Sequence, residues 1–140
     1  MRLTSPGNHK ARIVMAAANI QEIIEDSEQR PEALEGRTYK RKIQTSEGAD
    51  TNIYITICDR DGAPFEVFLN CSDARFTEFT AVAMILASRL LRAGVDPKTI
   101  AEDLEGIHSP FTSHYATETQ SFCPSLAASI GEVIRSHVES

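Results

Sequence analysis

The sequence lacks any CxxC pair, and its three cysteines, Cys58, Cys71 and Cys123, are odd in number and far apart. That pattern suits neither a secreted disulfide framework nor a local zinc clip, so reduced thiols are expected. Long apolar runs are missing too. The longest, Ala81 to Ala87, is much too short to cross a bilayer, and the leader Met1-Arg2-Leu3-Thr4-Ser5-Pro6 has no apolar signal core. Positive charge is in deficit, with 14 Lys and Arg against 20 Asp and Glu for a net charge of −6, which disfavours nucleic-acid binding through bulk charge. The chain shows no internal repeat and no low-complexity segment. A soluble, cytoplasmic protein with no membrane partner is the expectation. What is present is ordinary globular material: 140 residues, 41% hydrophobic and 24% charged, enough for one domain and one core.

Periodicity sets the organisation. From about Lys10 to Glu25, Ile13, Ala16, Ala17, Ile20 and Ile24 recur at three- and four-residue spacing behind a capping Asn8, which predicts an amphipathic helix. Arg30-Pro31 and Gly36 interrupt it, so residues 1–29 are expected to be an arm and residues 30–140 a domain. Three strands are predicted next, over 37–44, 52–58 and 64–69. Ile53, Ile55 and Ile57 share one face of the middle strand, and Asp59-Arg60-Asp61-Gly62 turns between the second and third. A helix is predicted from Ser72 or Asp73 to about Ala93, with Phe76, Phe79, Ala83, Leu86 and Leu90, broadened by Val82, Met84 and Ile85, laid across the sheet. Gly94 ends it. Asp96-Pro97 opens a second helix to Gly106, residues 107–122 read as polar and irregular, and Pro124-Ser125 opens a last helix carrying Leu126, Ile130, Val133 and Ile134. The expected class is α+β: an N-terminal helix, a three-stranded antiparallel meander, then three helices on one face of the sheet.

Several motifs in this order carry a resemblance: Arg30-Pro31-Glu32-Ala33-Leu34-Glu35-Gly36-Arg37-Thr38-Tyr39-Lys40, Ile53-Tyr54-Ile55-Thr56-Ile57, Asp61-Gly62-Ala63-Pro64-Phe65-Glu66-Val67-Phe68-Leu69-Asn70, Arg92-Ala93-Gly94-Val95-Asp96-Pro97 and Cys123-Pro124-Ser125-Leu126-Ala127. The series resembles the TSCPD domain, named for a Thr-Ser-Cys-Pro-Asp signature. That domain stands at the C-terminus of many class II, adenosylcobalamin-dependent ribonucleotide reductases and also occurs alone. The chain is especially similar to the small subunit of split reductases, over roughly residues 30 to 138 with the N-terminal helix outside. Many such domains have four cysteines proposed to hold a metal, and the resemblance places those positions near Asp50, Arg75, Ser109 and Cys123. Only Cys123 is a thiol, so neither a metal nor any other cofactor is expected. The signature itself reads Ser121-Phe122-Cys123-Pro124-Ser125, with Cys123 and Pro124 retained.

Candidate functional residues each have two readings. Arg37, Tyr39, Lys40, Arg41 and Lys42 suit phosphates or an acidic partner, with alternate residues acting together, or else keep an edge strand from aggregating. The stretch from Ile107 to Phe122 holds His108, Ser109, Thr112, His114 and Tyr115, which suit a small polar ligand, a phosphate or a metal bound by the two histidines, or else a solvated loop. Arg75 joins the candidate set for a ligand or partner. Cys123, just before a helix start, is either a thiol with lowered pKa or a structural residue. The N-terminal helix is expected to pack on its own domain or to make a homo-oligomer contact.

A nucleotide reductase needs a radical cysteine, a reducing cysteine pair and a cobalamin site, more than 140 residues can supply. The resemblance therefore implies a non-catalytic accessory module that docks on a reductase large chain. The second reading is an autonomous binding protein, of phage or mobile-element origin, that captures a nucleotide-like molecule or inhibits a host protein.

Overall fold

A strand with isoleucine at every second position can stay folded only if that side is covered, and the architecture answers this demand. The computed structural model describes residues 30–45, 48 and 50–140, and residues 33–140 form one compact unit. The helix expected over 10–25 lies outside the described residues. Strands β1 (Glu35–Gln44), β2 (Asp50–Arg60) and β3 (Ala63–Cys71) form an antiparallel sheet in the order β1-β2-β3. Each strand runs longer than its alternation suggested. Asp61 and Gly62, both at positive φ (52° and 80°), make the two-residue turn between the paired residues Arg60 and Ala63, the Asp-Gly chemistry that matches strand twist.

The rest is α1 (Ala74–Arg92), α2 (Pro97–Glu105), a small hairpin of β4 (His114–Ala116) and β5 (Ser121–Cys123), and α3 (Leu126–Glu139). Every helix start follows its cap. Asp73, Asp96 and Ser125 accept backbone N–H bonds from Arg75, Lys98 and Ala128. Gly94, at φ 85°, closes α1 with Val95 N–H returning to the Leu90 carbonyl. Ile43, Ile53 and Ile55 are fully buried, in one core with Val67, Met84, Leu91, Leu126, Ile130, Val133 and Ile134. No helix among the described residues is long and apolar enough to cross a membrane.

The structure corrects three expectations. First, α1 is rotated about its axis, so that of the expected stripe only Phe76 and Met84 are buried, with Ala83 partly so. Its buried side is Phe76, Thr80, Met84, Ala87, Ser88 and Leu91, while Phe79, Val82, Ile85, Leu86 and Leu90 are exposed. Two hydroxyls make this orientation affordable in free energy because each has a partner in the interior. Thr80 Oγ1 donates to the Phe76 carbonyl at 2.6 Å. Ser88 Oγ accepts from Val67 N–H at 3.0 Å and donates to the Val67 carbonyl at 3.1 Å. Second, α2 packs on α3 rather than on the sheet. Third, residues 107–122 are not irregular throughout: they hold the β4–β5 hairpin and the buried Thr112, His114 and Ala116.

Both sheet edges meet side chains. Ser88 occupies the outward backbone groups of Val67 on β3, and Glu118 Oε1 accepts from Lys42 N–H on β1 at 3.0 Å. In the first half of β3, fully buried Glu66 is ion-paired to Arg92, whose guanidinium lies 4.8 Å from the Phe65 ring centre.

Two substitutions test this packing. A Cβ on Gly131 of α3 would stand 2.6 Å from the Ala101 carbonyl of α2, so Gly131→Ala is expected to destabilise by about 1–3 kcal/mol in urea unfolding. Ser88→Ala strips both partners from a buried backbone unit and is expected to cost about 1–3 kcal/mol in the same measurement.

Candidate functional site

Two concave surfaces collect the chemistry-bearing side chains. The first lies between the N-terminal ends of α1 and α3, with a volume of about 460 Å³ and walls that include Phe76, Phe79, Ile107, Phe111, Arg75 and Thr112. Local hydrogen bonds shape it. Ser109 N–H donates to the Pro124 carbonyl at 2.9 Å and Ser109 Oγ accepts from Phe111 N–H at 3.3 Å, which winds the turn that carries Phe111. Ser125, the cap of α3, donates to the Ile107 carbonyl at 2.6 Å, and Leu126 N–H donates to Thr112 Oγ1 at 3.0 Å. The polar residues of this cleft thus bind protein, and apolar ones face outward. Phe79, Ile107 and Phe111 are exposed at 48%, 46% and 69%, far above what a settled core side chain shows.

Arg75 is engaged in the same way. Its guanidinium pairs with Asp73 at 2.6 Å and lies 5.3 Å from the Phe76 ring centre. The Arg75 side chain, followed by its backbone N–H, holds the Asp73 carboxyl down to about 2 from its ordinary 3.8.

The second surface is a polar hollow of about 320 Å³ walled by Glu35, Arg37, Asp59, Gly62, Pro64 and His137, among others. Beneath it, Tyr39 Oη is 2.7 Å from His137 Nδ1, and His137 Nε2 is 2.9 Å from Asp59 Oδ1. A carboxylate accepts, so the ring donates from Nε2 to Asp59, and Tyr39 Oη and Nδ1 share the second hydrogen bond. This chain ties β1, β2 and α3 together. The sequence offered no local signal for His137, because its two partners lie 98 and 78 residues away.

The remaining candidates fall apart spatially. Strand parity places Tyr39 inward on the core while Lys40 is exposed with Thr38 and Lys42 on the outer face. Arg41 is half-buried and Arg37 exposed beside the polar hollow. His108 and Tyr115 are exposed, but His114 is buried with Nδ1 2.8 Å from the Thr112 carbonyl, so the two histidines do not converge. Cys123, facing His114 across the hairpin, is buried with its thiol donating to the Ser125 carbonyl. Burial pushes its pKa up rather than down, which removes the reading of Cys123 as a dipole-activated thiolate.

A four-thiolate metal does not fit these positions. Asp50 is paired with Lys42 at 3.0 Å, Arg75 with Asp73, and Ser109 is spent on Phe111, leaving Cys123 as the lone sulfur. Among the described residues no group of three or more His, Cys, Asp or Glu side chains is placed to share an ion.

Comparison with protein families finds that the model of the TSCPD domain matches residues 15–138. The matched span begins inside the 10–25 segment that the resemblance had left outside. No curated protein and no solved structure matches the chain.

The Asp73–Arg75 cap has a pH signature. A carboxyl lowered in the folded state contributes stability above its unfolded value, and that contribution drains away as pH falls toward the folded value. The thermal midpoint is therefore expected to drop between pH of about 4 and about 2. Asp73→Asn is expected to flatten that segment of the profile and to lower the midpoint at neutral pH.

Proposed function

The chain belongs to the TSCPD domain family, a domain found in class II ribonucleotide reductases, and from that membership we propose that it is a non-catalytic accessory module that docks on a class II reductase large chain. One observation carries the reading: the apolar rim of Phe79, Ile107 and Phe111 around the cleft between α1 and α3. A cleft of about 460 Å³ with exposed aromatic walls suits a bulky apolar side chain of a protein partner. Capture of a nucleotide-like ligand in the same cleft is less well supported. Its cation, Arg75, is already bonded to Asp73, and that carboxylate, ionised at neutral pH, opposes a phosphate.

The partner is expected to be a reductase large chain that lacks a TSCPD domain of its own. Co-expression of the two chains should yield a complex that survives gel filtration. Phe111→Asp combined with Ile107→Asp should weaken it at least tenfold in a titration, since each exposed ring or branched chain lies at the centre of the contact. A complex of undiminished affinity in the double variant, or none with the parent chain, would reject the docking surface.

A further inference from the structure

The outward side of α1 carries a longer apolar surface that continues away from the cleft wall at Phe79. Phe79, Val82, Leu86 and Leu90 follow each other at three- and four-residue spacing, with Ile85 beside them, and Val82, Ile85 and Leu86 are exposed at 54%, 61% and 57%. Scattered apolar residues on a surface need no explanation, but a continuous helical stripe does. We propose that this stripe is the interface for a second copy of this chain, packed antiparallel about a twofold axis through the middle of α1.

Self-complementarity identifies the occupant. A twofold interface sets each residue against its counterpart at the mirrored position along the helix. With the axis between Val82 and Leu86, those two residues face each other across the copies, and Phe79 of one copy meets Leu90 of the other. The same register brings Glu78 of one copy beside Arg89 of the other. Glu78, Val82, Ile85 and Arg89 follow one edge of the stripe at four- and three-residue spacing, so acid and base fall on the same flank of the contact. Parallel packing about a twofold along the helices would instead put the two copies' edges on opposite flanks, with each Glu78 eleven positions along the helix from the other copy's Arg89, so the acid and the base would not meet.

The alternative route to a dimer, strand addition, is obstructed where the sheet edges are already bonded: Ser88 on Val67 and Glu118 on Lys42. The occupied edges leave the helix face as the surface that matches itself. Dimerisation does not depend on the docking reading, because it is read with no reductase chain present.

Light scattering on the purified full chain tests the proposal. The expected mass is twice 15.4 kDa at micromolar concentration. Leu86→Asp and, separately, Val82→Asp should return the single-chain mass with an unchanged circular dichroism spectrum, since both side chains are exposed in the folded chain. Glu78→Arg should weaken the dimer about tenfold, and adding Arg89→Glu should restore it. A parent chain that stays at 15.4 kDa overturns the proposal. So does a dimer that persists in both aspartate variants, or one that disappears only when residues 1–29 are removed, which would assign the contact to the N-terminal segment.

Discussion

One face of a three-stranded sheet must be kept dry, and nearly every other feature of the domain answers to that requirement. Ile53, Ile55 and Ile57 on the central strand are at most 1% exposed, and burying each such side chain is worth about 1.5–3 kcal/mol. Among the described residues the other sheet is a hairpin of three-residue strands, too small to cover this face. The cover comes from α1 beside β3 and from α3, whose Leu126, Ile130, Val133 and Ile134 complete the same core. The short α2 then has a helix rather than a sheet beneath it, and it approaches α3 closely enough at Gly131 that backbone meets backbone.

What could be read directly in the residues was whatever local chemistry decides. The Asp-Gly turn, the three capping side chains, the glycine ending α1 and the isoleucine alternation each depend on neighbours within a few positions, and the structure has all of them. The orientation of α1 was not legible. Its sequence contains two faces, one rich in large apolar residues and one that includes Thr80 and Ser88, and apolar count alone selects the wrong one. The choice depends on an acceptor at Phe76 and on the backbone of Val67, the latter 21 residues away. The β4–β5 hairpin was hidden for a related reason. Its strands are three residues each, and their polar composition conceals that His114 and Thr112 are buried with hydrogen bonds to protein.

The candidate site shows the same division. Ser109, Thr112 and Arg75 are residue types suited to binding a ligand, yet each has its polar group committed within the fold. The groups left outward are Phe79, which helical periodicity points to the core, and Ile107 and Phe111, which carry no signal of their own in the sequence. Tyr39 belongs to neither cleft wall. It is one end of a three-residue polar chain through His137 to Asp59 that joins two strands to the last helix. Such a chain needs all three partners in place, because a buried imidazole with one side unmet bears the cost of desolvation.

Ser88 has a meaning beyond stability. By accepting from the N–H and donating to the C=O of one β3 residue, its hydroxyl imitates the edge of a fourth strand, so the sheet is chemically terminated at that point, as a chain end is terminated in a polymer. Glu118 does part of the same at the opposite edge. At those two positions an incoming strand would have to displace a side chain that already holds the backbone groups, which penalises strand pairing there. A hydroxyl on one helix thereby does for a strand what a neighbouring strand would do, and the sheet's width is set at that point by a side chain.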